Sequence, residues 1–146
     1  MTTPFTITTF DIPKPGLEAL VDAGLDQYND AFGDRGAFDG QQPISSAAYD
    51  GGGRMIAGAV GRTLGRCCEL QRLWVDAAHR HAGVGSAVVR AFEQLAIERG
   101  CDTFYLSTFS FQARPFYERL GYTMQLEIPG HGAAGSKCFM VKKLGA

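Results

Sequence analysis

The sequence predicts a single α/β domain of the α+β kind, a mixed and mostly antiparallel central sheet flanked by helices. Three observations carry that reading. The 146 residues, 45% of them apolar, suffice for one full hydrophobic core and are too few for two comfortable ones. Short alternating runs joined by Gly-rich turns recur between residues 44 and 75, which implies antiparallel meander pairing. A strand, a long amphipathic helix and a second strand follow between 67 and 108, a crossover unit whose two strands lie parallel. The whole chain, 1–146, is accordingly read as one domain.

Taken in order, residues 5–10 alternate apolar and Thr in strand fashion, and the Pro/Gly-rich stretch 11–16 ends the pattern. Leu17, Leu20, Val21 and Leu25 follow helical spacing, and the Gly/Asp-rich segment 29–40 reads as a loop. Residues 44–49, the turn at 50–53 and residues 54–64 form a hairpin whose small residues face a close neighbour. A third strand spans 67–75. Val84, Ala87, Val88, Ala91, Phe92, Leu95 and Ala96 then make the stripe of an amphipathic helix, closed by Arg99-Gly100. Residues 101–108 return to β alternation. A second helix covers 112–120, with Pro115 in its first turn and Gly121 as terminator, and strands at 122–128 and 138–143 close the domain.

Composition excludes several functions. Fourteen Lys and Arg against fifteen Asp and Glu leave no basic surface for the phosphate array of nucleic acid, so no nucleic-acid partner is expected. No apolar run approaches the roughly 20 residues needed to span a bilayer, and the first ten residues lack a basic stretch followed by an apolar block. No membrane association is expected, and a cytoplasmic location is. The four cysteines form no Cys-x-x-Cys pair, and neighbouring Cys67 and Cys68 point to opposite faces of a strand, so buried free thiols are expected and no metal site. His79, His81 and His131 are read as structural or solvent-facing.

Chemistry concentrates in residues 76–86, between a strand end and the start of the long helix. Gly83 and Gly85 remove side chains where a ligand can approach the backbone, leaving amide N–H groups at a positive helix end. Arg80 adds a permanent cation and Ser86 a hydroxyl donor. Packing of the helix on the sheet favours the same two glycines, so this pattern alone leaves phosphate binding and packing open. Other phosphate loops fit worse. A dinucleotide fingerprint wants a small residue where Val88 stands and a first Gly close to the strand end, and residues 58–63 lack the Gly-Lys-Ser/Thr core of a triphosphate loop.

Three separated elements together are more specific. Leu73-Trp74-Val75, then Arg80-x-x-Gly83-x-Gly85-Ser86, then Ser110-x-x-Ala113-x-x-x-Tyr117-x-x-x-Gly121-Tyr122 resembles, in order and spacing, the GNAT superfamily of N-acetyltransferases. The likeness covers residues 43–143, most closely 69–122, and the run Thr-Phe-Ser-Phe-Gln-Ala at 108–113 is similar to small bacterial members. The resemblance implies a GNAT-type fold in which the strands ending at Val75 and starting at Cys101 splay apart. Acetyl-CoA, the cosubstrate, would lay its pantetheine arm between them, hydrogen-bonded by backbone groups of Leu73, Trp74 and Val75. Arg80, His81, Ala82, Gly83, Val84, Gly85 and Ser86 would hold its pyrophosphate, with Ser110 and Ala113 at the far end of the site. Ser110 departs from the family, which most often has Asn there.

Acetyl transfer to an amine poses two proton problems: an alkylammonium of pKa about 10 must lose a proton, and the departing thiolate can take one. The resemblance places Tyr117 beside the coenzyme sulfur as general acid; a core tyrosine sharing a face with Phe116 and Leu120 is the alternative. For the base, Glu69 occupies a position that carries a catalytic carboxylate in some protein-acetylating members. A strand carboxylate paired with Arg66 or Arg72, or a water chain to solvent, is the competing account, and His79 and His81 rank below it. The acceptor pocket is expected from residues 29–40 and 130–135, whose Gly content indicates mobility. A small amine (an amino acid, polyamine or antibiotic) is the first choice of acceptor, a protein N-terminus or lysine the second, and a non-catalytic acyl-CoA-binding module the third reading. Similar proteins are often dimers; the homodimer interface is not identified by any residue pattern.

Overall fold

A computed structural model describes residues 4–32, 38–110 and 113–145. Two units, Met1–Asp39 and Gly40–Ala146, are taken in turn. In the first, the strand expected at 5–10 does not form: residues 4–10 have no regular structure, and Phe5 and Ile7 are about four-fifths exposed, at 79% and 80%. Thr/apolar alternation supplies only a propensity, and a strand exists only through the ladder of a neighbour, which this segment lacks among the described residues. Helix α1, Leu17–Phe32, runs further than its apolar spacing indicated, so residues 29–32 are helix rather than loop. No Gly or Pro interrupts 25–32, and nothing local stops propagation. The rest of the expected loop includes residues 33–37, which lie outside the described residues.

The second unit holds one six-stranded sheet: β1 Gln42–Tyr49, β2 Met55–Leu64, β3 Cys67–Val75, β4 Thr103–Phe109, β5 Thr123–Ile128 and β6 Lys137–Lys143, ordered β1-β2-β3-β4-β6-β5. Every neighbouring pair is antiparallel except β3 and β4, the two ends of the crossover. The first hairpin closes on Asp50, whose Oδ1 accepts the amides of Gly52 and Arg54, both at 2.9 Å, while Gly53 takes a positive φ of 83°. Helix α2, Val84–Glu98, ends where Gly100 turns left-handed at φ 94° and the Cys101 amide donates back to Ala96 O at 2.9 Å. A shorter helix, α3 (Arg114–Arg119), carries Pro115 in its first turn; residues 111–112, the expected start, lie outside the described residues.

The core lies between α2 and the sheet. Val88, Val89, Phe92 and Ala96 pack over Cys68, Leu70, Phe104, Leu106, Cys138 and Met140, all at most 4% exposed. The buried stripe is rotated from the expected one: Leu95 is 37% exposed, whereas Glu93 is buried at 5%. The Glu93 carboxylate accepts the Tyr122 hydroxyl at 2.8 Å and the Lys142 ammonium at 3.1 Å, so partners from the far end of the sheet draw an acid into the core face. Cys68, Cys101 and Cys138 are buried free thiols, as expected, whereas Cys67, on the opposite face of its strand from Cys68, is exposed; burial pushes the Cys68 thiol up to about 12. No helix among the described residues is long and apolar enough to cross a membrane.

Candidate functional site

The site begins with an irregularity in β3. Across β2, Gly61 pairs with Leu70 but Val60 pairs with Arg72, so Gln71 is one residue too many and forms a β-bulge. At the same place the parallel ladder stops: β3 and β4 pair only at Cys67↔Thr103, Cys68↔Phe104 and Glu69↔Tyr105. Beyond Glu69 the two strands part. A cleft of about 220 Å³ opens between Leu70, Gln71, Arg72 and Leu73 on one side and Leu106, Ser107 and Thr108 on the other, with Tyr117 of α3 against it. A wider depression of about 390 Å³ lies at the opposite end of the pair, beside Arg66, its ion-pair partner Asp102, and Lys143, and includes none of the expected site residues.

Gly61 makes the bulge possible. A Cβ there would sit 1.9 Å from the Glu69 carbonyl oxygen and 2.9 Å from Cζ of Phe92, so the α2 ring rests on bare backbone. The bulge also shifts the phase of β3. Cys68 and Leu70 face the core before it, and Leu73 and Val75 do so after it, which turns Glu69, Arg72 and Trp74 to the other face. That phase slip, a spacing of three in a strand of period two, was present in the sequence and is the signal that would have located the bulge.

At the far end of β3 the chain passes through a short 3₁₀ turn, Ala77–His79, into the loop before α2. His81 and Gly83 both adopt left-handed backbone, at φ 62° and 82°. Gly83 is the N-cap of α2 and makes no side-chain cap, so the first-turn amides at Val84, Gly85 and Ser86 have no intrahelical acceptor. The two glycines do different work. A Cβ at Gly83 would meet nothing within 4 Å, leaving the space above that backbone open, whereas one at Gly85 would press on Val75 Cγ2 at 3.3 Å and Phe116 Cζ at 3.4 Å. Gly85 thus serves close packing, and Gly83 exposes a cradle fit for an anion. Arg80 folds back so that its Nε donates to Val75 O at 3.0 Å, and its terminal nitrogens take no partner among the described residues. His79 takes the structural role: its Nδ1 lies 3.1 Å from Asp76 Oδ2 while its side chain stays partly exposed. That hydrogen bond first, and the nearby Arg54 guanidinium, hold the Asp76 carboxyl below its ordinary range.

The model of the acetyltransferase (GNAT) family matches residues 10–122. The chain belongs to the GNAT acetyltransferase family. Blasticidin-S acetyltransferase of Streptomyces morookaense is 36% identical over 93 residues, 63% of this chain and 68% of that protein. The uncharacterized N-acetyltransferase YjcF of Bacillus subtilis is 32% identical over 90 residues, 62% of this chain and 55% of its own length. A crystal structure of an acetyltransferase from Bacillus cereus superposes with a TM-score of 0.79 at 26% identity, covering 94% of this chain and 98% of that one.

In this acetyltransferase, Tyr117 is buried at 7% exposure yet lines the cleft, and its ring packs edge-on against Phe116 at 5.0 Å and Tyr122 at 5.9 Å. Its hydroxyl has no protein partner among the described residues, and burial pushes the phenol up to about 12. Core residue and cleft residue are both true of it. Glu69 is not part of the cleft lining; its Oε1 accepts Arg62 Nε at 3.0 Å across the hairpin, a partner the sequence reading did not name. The expected partner Arg66 bonds Asp102 instead.

Ser110 ties the end of β4 to the segment before β6. Its amide donates to Ser136 O at 2.8 Å and its Oγ accepts the Ser136 amide at 3.0 Å. A Cβ at residue 135 would lie 2.6 Å from that Oγ, so Gly135 and Ser110 fit as a pair. The 130–135 loop, expected to be mobile from its glycines, is internally bonded: the His131 amide donates to Gly135 O at 2.9 Å, and the His131 ring stands edge-on to Phe109 at 5.6 Å. Here glycine serves positive-φ turns, with Gly132 at φ 58° and Gly135 at 77°. Among the described residues no cluster of three or more His, Cys, Asp or Glu could hold a metal.

Proposed function

We propose that the protein is an acetyl-CoA-dependent N-acetyltransferase in which a small amine attacks the thioester directly within a ternary complex. The observation that carries this reading is the cleft where β3 and β4 part, with the open amide cradle at Gly83 in the loop that follows β3. Blasticidin-S acetyltransferase, by its name, acts on a small molecule, which supports a small acceptor here. We read residues 1–146 as one functional domain, since the family match at 10–122 runs across both units.

Acetyl-CoA supplies an activated acetyl thioester; the residues of this chain supply position and protons. The carbon–nitrogen bond forms, the carbon–sulfur bond breaks, and of the two protons the ammonium loses one goes to sulfur and one to solvent. Backbone groups of Leu73, Trp74 and Val75 hold the pantetheine arm on the β3 edge, and the loop from Arg80 to Ser86 holds the phosphates, Arg80 as a cation already oriented by Val75 O. The Tyr117 hydroxyl keeps its proton at neutral pH, donates it toward the departing sulfur and is restored by the second proton that the amine loses. Glu69, steadied by Arg62, orients the incoming ammonium and passes its proton to solvent through water. Glu69→Gln is therefore expected to lower kcat by about threefold to tenfold with acetyl-CoA affinity unchanged, read by thiol release; an unchanged kcat would leave solvent water as the base.

Calorimetric titration tests the coenzyme. Acetyl-CoA and CoA are expected to bind with Kd in the range of about 1–100 μM, and NADH not at all. Gly83→Trp, which fills the open space and forces a bulky residue to φ 82°, abolishes that binding. Absence of binding by the unmodified protein would return the loop to a packing feature.

A further inference from the structure

We propose that the acceptor is an amine carrying a carboxylate a few bonds from its nitrogen, an amino-acid-like molecule, and that Arg72 receives the carboxylate. The inference rests on the acetyl-transfer reading above and names the substrate class of that site. Arg72 is the only charged residue lining the cleft among the described residues. Most other arginines of the second unit are already engaged: Arg54 with Asp76, Arg62 with Glu69, Arg66 with Asp102, Arg99 with Pro43 O and Thr63, and Arg114 with Glu118. Arg72 has no hydrogen bond or ion pair among the described residues.

The coenzyme offers that guanidinium no charge to pair with. The pantetheine arm and its thioester are uncharged, and the phosphates belong to the loop beginning at Arg80, past the end of β3. The strand rises about 3.3 Å per residue, so Arg72 stands about 10 Å short of Val75, on the reacting side of the phosphates. The bulge puts Arg72 on the same face as Glu69, whose Oε2 takes no partner among the described residues, and Trp74, which is 51% exposed. A free cation and a half-used carboxylate on one face of a strand match a zwitterion: the ammonium toward Glu69, the carboxylate in the two-pronged grip that a guanidinium provides.

The experiment is a matched panel assayed by thiol release from acetyl-CoA. Each of the twenty amino acids, β-alanine and 4-aminobutyrate is compared with its amide and its decarboxylated amine, in the unmodified protein, Arg72→Gln and Arg72→Lys. The expected result is that at least one carboxylate-bearing amine shows kcat/KM at least tenfold above both neutral counterparts. In Arg72→Gln that gap closes through KM, with partial recovery in Arg72→Lys and acetyl-CoA Kd within twofold throughout. Equal or better turnover of the neutral amines overturns the proposal, as does a gap that survives Arg72→Gln, or a silent panel while acetyl-CoA binds. Loss of acetyl-CoA binding in the unmodified protein overturns the underlying reading, and this proposal with it.

Discussion

Gly61→Ala is expected to be the most damaging single-methyl substitution in the sheet. The added Cβ would lie 1.9 Å from a backbone oxygen, a position that no side-chain rotation relieves, and 2.9 Å from the Phe92 ring. Either β3 moves away from β2 and the bulge is lost, or α2 lifts from the core. We expect a loss of about 3 kcal/mol, seen as a fall in Tm of roughly 10 °C. Gly58→Ala on the same strand is the internal control, because its Cβ would meet only Ser46 O at an ordinary 3.7 Å. That variant should stay within about 0.5 kcal/mol of the parent by thermal melting, the usual range for an uncrowded site. A functional consequence follows from the same geometry. Any Gly61→Ala protein that folds should bind acetyl-CoA more weakly, since the bulge and the parting of β3 from β4 coincide, whereas Gly58→Ala should not. Equal melting temperatures for the two variants would mean that the bulge is not held by the bare backbone at Gly61.

Tyr117→Phe should have the largest effect on turnover. The substitution removes one oxygen from a ring already packed against Phe116 and Tyr122, so shape and stability are nearly conserved while the cleft loses its buried donor. We expect kcat to fall by about a hundredfold with acetyl-CoA affinity almost unchanged, measured by thiol release and calorimetry side by side. Turnover equal to that of the parent would end the assignment of Tyr117 as acid. Burial raises the phenol from 10 to about 12, which fixes the pH behaviour. The neutral form is the one favoured by folding, so this contribution to stability is complete below pH 10 and disappears as pH rises through 12. The rate profile should accordingly show no alkaline limb from Tyr117 below pH 10; a limb near pH 8 that vanishes in Tyr117→Phe would contradict the burial seen here.

Taken alone, the sequence determined a good deal. Composition and periodicity place the six strands of the second unit and helix α2 nearly as they stand, because apolar alternation of period two and 3.6 is a property of neighbouring residues. The loop at 76–86 was legible for the same reason: the requirements of a helix start for small, cationic and hydroxyl residues are written consecutively. Its two glycines could not be told apart, since what lies above each one, open space or Val75 and Phe116, depends on residues distant in the chain.

Only the tertiary structure decided the rest. Residues 5–10 have strand propensity and no strand, because a ladder needs a second chain segment. Glu93 looks like a surface acid on its helix until Tyr122 and Lys142, 29 and 49 residues later, supply its partners. The competing account of Glu69, a strand carboxylate paired with Arg66 or Arg72, names neighbours in sequence, but strand register gives Glu69 Arg62 and leaves Arg72 lining the cleft. The opening itself is the clearest case. It arises because one surplus residue at Gln71 meets a glycine on the adjacent strand just where a parallel ladder of three pairs runs out, and hydrogen-bond register across strands is not a local quantity.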